Sequence, residues 1–208
     1  MRPPGARRGS AARSPGAGRG SSRAKRAFDV VVGSALLAGL SPVLAAGTVA
    51  QRIEGNPVLW RSPRVGRDGH AFELLMFRTM RDGAELTRVG RAIRNRSLDH
   101  LPMLVNVVRG DLALVGPRPT EPERVDRTDP DWQRVLTVRP GLVSYAILCL
   151  GRTYNATDPA ARLRLEAAYV RRAGLAFDLR LLARAAAATI RSGGNVKARG
   201  EPMDEPAG

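Results

Sequence analysis

An α+β fold, mainly helical and membrane-associated, is predicted by three features of this 208-residue sequence. An uncharged N-terminal stretch interrupted by proline reads as a helix–break–helix. Two apolar runs around an Asp-Gly pair read as a short β-hairpin. Most of the remainder carries Leu, Val and Ala at helical spacing, punctuated by Gly and Pro.

Composition bounds the chemistry. Aromatics make up only 4% of the chain, so the core must rest on Leu, Val and Ala. A single cysteine, Cys149, excludes an internal disulfide framework and a multi-thiolate metal site. It reads as a buried small hydrophobe. Two histidines are too few for a histidine-rich zinc site. The net charge of +15 points to a phosphate-rich partner or an anionic surface. Residues 1–26 hold eight basic and no acidic side chains; without them 26 basic and 19 acidic residues remain.

The elements follow in order. Residues 1–24, rich in Gly, Pro, Ser and Arg, are predicted to be a disordered basic tail. Residues 192–208 read the same way. Val30 to Ala50 contains no charge. As one helix it would extend roughly 32 Å, about one hydrocarbon thickness. Ser41-Pro42 lies in its middle, where proline breaks the hydrogen-bond ladder. Basic residues flank both ends: Arg23, Lys25 and Arg26 before, Arg52, Arg61 and Arg64 after. Positive flanks mark the cytoplasmic side, so residues 25–52 fit a segment that enters and leaves by one face. A secretory signal peptide and a buried core helix are the competing readings. The length of the stretch weighs against both, and the central proline also against the first.

Residues 53–191 form the predicted head. Pro57–Arg61 and Ala71–Phe77 flank Gly66-Arg67-Asp68-Gly69 as a hairpin. Arg88–Asn95 reads as a basic helix. Asp99–Val108 reads as a second helix, with Pro102 in its first turn and Ser97 as its cap. Leu112–Val115 reads as a short strand, 121–136 as a charged helix, and 159–190 as a long helical region interrupted near Gly174.

Asp99 at a helix start lies where negative charge is favoured and where a phosphate would be received. Arg78, Arg88, Arg91, Arg94, Arg96 and Arg118 surround it in sequence. Arg118 stands between two prolines, which stiffens its backbone and suits its fork to bidentate phosphate binding. A carboxylate among arginines can attack phosphorus. Each residue also has an ordinary reading. Asp99 can be a helix cap, Arg118 a surface ion-pair donor and His100 a half-buried polar residue.

Together these stretches resemble the bacterial sugar transferase family, the small monotopic phosphoglycosyl transferases. The matching segments run in order from Lys25-Arg26-Ala27-Phe28-Asp29 through Ser41-Pro42, Arg64-Val65-Gly66-Arg67-Asp68-Gly69 and Phe77-Arg78-Thr79-Met80. They continue through Thr87-Arg88-Val89-Gly90-Arg91, Ser97-Leu98-Asp99, Leu101-Pro102 and Leu114-Val115-Gly116-Pro117-Arg118-Pro119. Val138-Arg139-Pro140-Gly141, Tyr169-Val170 and Asp178-Leu179 complete them. The resemblance implies a re-entrant helix broken at Ser41 and Pro42, and a cytoplasmic catalytic domain over 53–191 on the inner leaflet of the bacterial cell membrane. It implies Asp99 as a nucleophile toward the β-phosphate of a nucleotide-sugar, a UDP-sugar by preference. Polyprenyl phosphate would be the acceptor, and magnesium, met by Asp99 through phosphate, the cofactor. It further implies Arg118, Arg78, Arg88 and Arg139 as phosphate- or substrate-binding residues, and a homodimer as a possible assembly.

The sequence departs from the family at three places. His100 stands where the family carries a catalytic Glu, Met76 where it usually carries Lys, and the loop from Arg81 to Leu86 is short. His100 can serve as a general base near neutral pH, but imidazole is a poor ligand for magnesium. The alternative reading is therefore a member with impaired catalysis that acts as a membrane-bound partner or regulator. Nucleic-acid binding is not expected, because the core offers few aromatics for base stacking and the chain carries an apolar membrane segment.

Overall fold

A computed structural model describes residues 19–55, 57–81 and 85–191. Helix α1 spans Arg19–Gly39 and α2 spans Ser41–Ile53. Residues 19–24, expected in the basic tail, are thus helical. Arg19, Arg23 and Ala24 are good helix formers, and the helix is pinned from its second turn onward by contacts given below. The rest of that tail, and the one expected over 192–208, lie outside the described residues.

The two helices bend by 57° at the Leu40 junction, and no single described helix is long and apolar enough to cross a membrane. Pro42 falls in the first turn of α2, where its missing N–H costs little. Ser41 Oγ donates to Ala38 O at 2.7 Å, capping the end of α1. Apolar side chains face outward along the pair: Val31, Leu36, Val43, Val49 and, at 81% exposed, Ile53.

Strands β1 (Leu59–Val65) and β2 (Ala71–Phe77) form the expected antiparallel hairpin, from Leu59 opposite Phe77 to Val65 opposite Ala71. Its turn uses left-handed backbone at Asp68 (φ 57°) and Gly69 (φ 79°), which explains the Asp-Gly pair. Helix α3 spans Arg88–Asn95 as expected. The expected helix over Asp99–Val108 is divided. A 3-10 turn covers Leu98–His100, and α4 covers Met103–Arg109. Pro102, not Ser97, precedes the first turn of α4. Ser97 takes φ 54° and makes no side-chain cap.

Strand β3 (Ala113–Val115) pairs in parallel with β4 (Gly141–Val143), a strand the sequence did not announce. The helix expected over 121–136 is a correction. Only a 3-10 turn at Pro122–Arg124 and α5 at Pro130–Val135 form. An Asx turn at Asp126, whose Oδ1 accepts from Thr128 N at 2.8 Å, breaks the stretch, and Asp129 caps α5. Helices α6 (Tyr145–Leu150), α7 (Pro159–Arg172) and α8 (Leu175–Arg191) complete the order, with the α7–α8 break at the expected place. Cys149 lies on the outer side of α6 and is exposed, not buried.

One core joins α1, β2, α4 and β3 through Phe28, Val32, Leu74, Leu104, Val107 and Leu114. A second joins β3 to α7 and α8 through Val115, Tyr169 and Leu181. Polar contacts fix α1 to both. Arg26 donates to the carbonyls of Val107 (2.7 Å) and Val108 (2.8 Å), where a cation complements the C-terminal end of α4. Asp29 Oδ1 accepts from Leu114 N at 3.2 Å. Lys25 Nζ donates to Val115 O at 3.0 Å and pairs with Asp178 of α8. Tyr169 donates to the same carboxylate at 2.8 Å.

Candidate active site

The chain reaches Asp99 through a deliberate distortion. Left-handed backbone at Ser97 costs about 1–2 kcal/mol for a non-glycine residue. It turns the chain out of α3 so that Asp99 enters the interior beside β2 and α3, only 5% exposed. His100 Nδ1 lies 3.1 Å from Asp99 Oδ1, and the imidazole itself stays half-exposed. The two atoms are close but no hydrogen bond joins them, and Asp99 Oδ1 is buried.

Arg118 sits just after β3. Strands β3 and β4 cross at Gly116 and Gly141 with no room for side chains. A Cβ on Gly141 would fall on Gly116 N, and one on Gly116 would lie 2.5 Å from Arg139 O. The approach lets Pro117 O accept Gly141 N at 2.8 Å, which locks the loop carrying Arg118. Gly141→Ala must therefore separate the strands. We expect a stability loss of about 1–3 kcal/mol by chemical unfolding, typical of overpacking, and a displaced Arg118.

Behind Arg118 lies a carboxylate with no announced role. Glu166 of α7 is buried, 6% exposed. Its Oε1 accepts from Ser144 Oγ at 2.5 Å and from Arg118 N at 3.2 Å. Its Oε2 is buried without a hydrogen-bond partner. Burial pushes its carboxyl up to about 7, against the lowering pull of Ser144 and of the Arg118 N–H. A raised carboxyl makes the folded state hold a proton that the unfolded chain releases. The associated stability is present below the ordinary value of 4.5 and is lost as pH rises through about 7. Glu166→Gln keeps an acceptor for both donors and removes the ionisation. Between pH 4.5 and 8, unfolding free energy of the parent protein should fall by about 3 kcal/mol relative to this variant. Parallel curves would contradict it.

The other arginines have separate surroundings. Arg78 ends the hairpin: its N–H donates to Val58 O at 3.0 Å, its carbonyl accepts from the buried Gln51 side chain, and its Nε donates to Met80 O at 3.1 Å. Arg88 opens α3 and is exposed, behind the Thr87 cap, whose Oγ1 accepts from Gly90 N at 2.8 Å. Arg139 is half-buried. Burial and the neighbouring Arg26 and Arg67 depress its guanidinium, opposed by Asp29 and Asp68. Arg118 instead neighbours Tyr154, its Cζ 5.3 Å from the ring centroid.

Among the described residues no cluster of three His, Cys, Asp or Glu could cage a metal. Magnesium does not require one. It is commonly held by one or two carboxylates with substrate phosphates and water. The single buried carboxylate of Asp99 fits that manner of binding, and the neighbouring imidazole does not add to it.

A family model described as bacterial sugar transferase matches residues 20–192. The chain belongs to the bacterial sugar transferase family. It is 34% identical over 179 residues to a UDP-glucose:undecaprenyl-phosphate glucose-1-phosphate transferase of Caulobacter vibrioides, covering 77% of this chain and 67% of that protein. It is 31% identical over 185 residues to the exopolysaccharide production protein ExoY of Sinorhizobium fredii, covering 74% and 80%. It is 31% identical over 186 residues to an uncharacterized sugar transferase of Haemophilus influenzae. That match covers 76% of this chain and only 39% of the longer relative.

Within this sugar transferase, sequence reasoning missed Ser144, Tyr154 and Glu166. Glu166 could have been found. It lies three residues before Tyr169 and four before Val170, so it shares the apolar face of α7, where a carboxylate has no business without a partner. Tyr154 lies in a turn-rich stretch whose path only the structure reveals.

Proposed function

We propose that this protein moves a sugar 1-phosphate from a nucleotide-sugar to polyprenyl phosphate at the inner leaflet of the bacterial cell membrane. The observation that carries the reading is the buried Asp99 carboxylate, with His100 Nδ1 3.1 Å from it, in a family whose relatives are named undecaprenyl-phosphate sugar-phosphate transferases.

An Asp99 oxygen attacks the donor's β-phosphorus, and the bond to the bridging oxygen breaks. Nucleoside monophosphate leaves with that electron pair, and an acyl phosphate remains on Asp99. A polyprenyl phosphate oxygen then attacks the same phosphorus and expels the carboxylate. The product is a polyprenyl diphospho-sugar, and the enzyme is restored. Arg118 holds phosphoryl oxygens in its fork, with Arg78, Arg88 and Arg139 as further substrate contacts. Magnesium, met by Asp99 and the donor's phosphates, would offset their negative charge. A UDP-sugar is the donor best supported by the relatives' names, and exopolysaccharide assembly the pathway. A homodimer is compatible with this reading.

The bent α1–α2 pair, its outward Val and Ile side chains and the basic flanks support a re-entrant anchor broken at Ser41 and Pro42. Trp60, 47% exposed just beyond α2, suits the interfacial layer. Release from membranes by high salt without detergent would rule the anchor out.

The decisive assay supplies labelled nucleotide-sugars, polyprenyl phosphate and magnesium to membranes containing the protein. Nucleoside monophosphate should appear together with labelled lipid. If no donor in a broad panel turns over, the transferase reading fails. The reading as a partner or regulator, motivated by His100, then stands.

A further inference from the structure

The loop that carries Arg118 offers few handles. Pro117 and Pro119 have no N–H, so Arg118 holds the one backbone donor between Gly116 and Thr120. Arg118 is exposed, and its side chain is bordered by the Tyr154 ring and the Glu121 carboxylate. Its N–H instead turns inward, donating to Glu166 Oε1 at 3.2 Å. The loop's acceptors are tied elsewhere. Pro117 O accepts from Gly141 N at 2.8 Å, and Arg118 O accepts from Thr120 Oγ1 at 3.1 Å. The donor side of the loop therefore rests on Glu166.

The same carboxylate oxygen has a second donor. Ser144 Oγ donates to it at 2.5 Å and itself accepts from Ile147 N at 3.2 Å, as the cap of α6. Ser144 directly follows β4, whose Val143 O accepts from Gly116 N at 3.1 Å. Glu166 thus joins α7 to both exits of the β3–β4 pair, the loop that leaves β3 and the helix that leaves β4. Ala167 and Tyr169 beside it are buried. Packing there would be met by an apolar side chain, without the cost of burying a carboxyl group. What Glu166 adds is an acceptor for two inward donors that packing cannot satisfy.

We propose that Glu166 is a positioning residue for Arg118, fixing the backbone from which the guanidinium reaches substrate. That the guanidinium meets phosphate rests on the transferase reading. The hold on the backbone does not.

Two measurements on the full-length protein in detergent test it. One is amide hydrogen exchange at Arg118. The other is calorimetric titration with UDP-glucose, the donor in a relative's name, in the presence of magnesium. Glu166→Met keeps the volume and removes the acceptor. Exchange at Arg118 should quicken about tenfold, and UDP-glucose should bind about tenfold more weakly, ~1.4 kcal/mol. Glu166→Gln, which keeps an acceptor, should hold both near the parent values. Adding Glu166→Met to Arg118→Gln should cost no further affinity, because Glu166 acts through that side chain. A merely structural Glu166 would lower affinity equally with or without the guanidinium. Should Glu166→Met not fold, Glu166→Asp carries the test. It withdraws the carboxylate by one methylene and should move both readouts the same way. Unchanged exchange at Arg118, or equal losses with and without the guanidinium, overturns the proposal. If Arg118→Gln leaves UDP-glucose binding as it was, the phosphate reading of Arg118 fails alone, and exchange at Arg118 still decides whether Glu166 holds the loop.

Discussion

Asp99→Asn should lower sugar-phosphate transfer by about a thousandfold or more, the scale seen when a nucleophile is removed from a catalytic unit. The amide keeps the size and one acceptor oxygen, so the turn at Leu98–His100 survives. What disappears is the anionic oxygen that forms the acyl phosphate. Both nucleoside monophosphate release and lipid labelling must therefore fall together, with thermal stability near that of the parent protein. A variant that transfers normally would remove Asp99 from the reaction. His100→Glu is the companion measurement. A large gain in turnover would identify the imidazole as a defect at that position. A loss would identify it as a working substitute that aims Asp99.

The second large effect concerns Asp178. Replacing it with Ala leaves Lys25 and the Tyr169 hydroxyl facing the interior without their carboxylate. Asp178 is 2% exposed and Lys25 21%. Removing one member of a buried pair strands the other, which costs about 3 kcal/mol or more. Chemical unfolding in detergent should register that loss. Joint replacement by Lys25→Met and Asp178→Leu should recover most of it, since the stranded charge is gone. If the single variant unfolds like the parent protein, the pair contributes nothing to holding α1.

Much of this arrangement was legible in the chain. Asp68-Gly69 demanded left-handed backbone and gave the hairpin turn. Ser41-Pro42 gave the bend. Gly174 after α7 marked a helix limit that local chemistry sets. The misses share one physical cause, contacts distant in sequence. Strand β4 is three residues long and exists because β3 lies alongside it. Cys149 is exposed because α6 turns its other faces to Tyr169 and Phe177 of the second core. The helix expected over 121–136 fails for a local reason that periodicity hides, the Asx turn at Asp126. At the site, Asp99 and Arg118 stood out by residue type and by resemblance. Glu166 gained meaning only when α7 was laid behind the loop after β3.

The tie between Lys25 and Asp178 spans 153 positions of the chain. A ribosome adding 5–20 residues per second needs roughly 8–30 s to cover that distance. For that interval Lys25, Arg26 and Asp29 have emerged while α8 does not yet exist. The ties of Arg26 and Asp29 can close once Leu114 is made, but Lys25 must wait for its carboxylate, and the apolar face beside it is exposed to association with other chains or to early capture by a bilayer. Biogenesis of this protein is therefore set by its last helix. Chains halted before Asp178 should be aggregation-prone even though the nucleophile, the arginine clamp and both strand pairs have already been made.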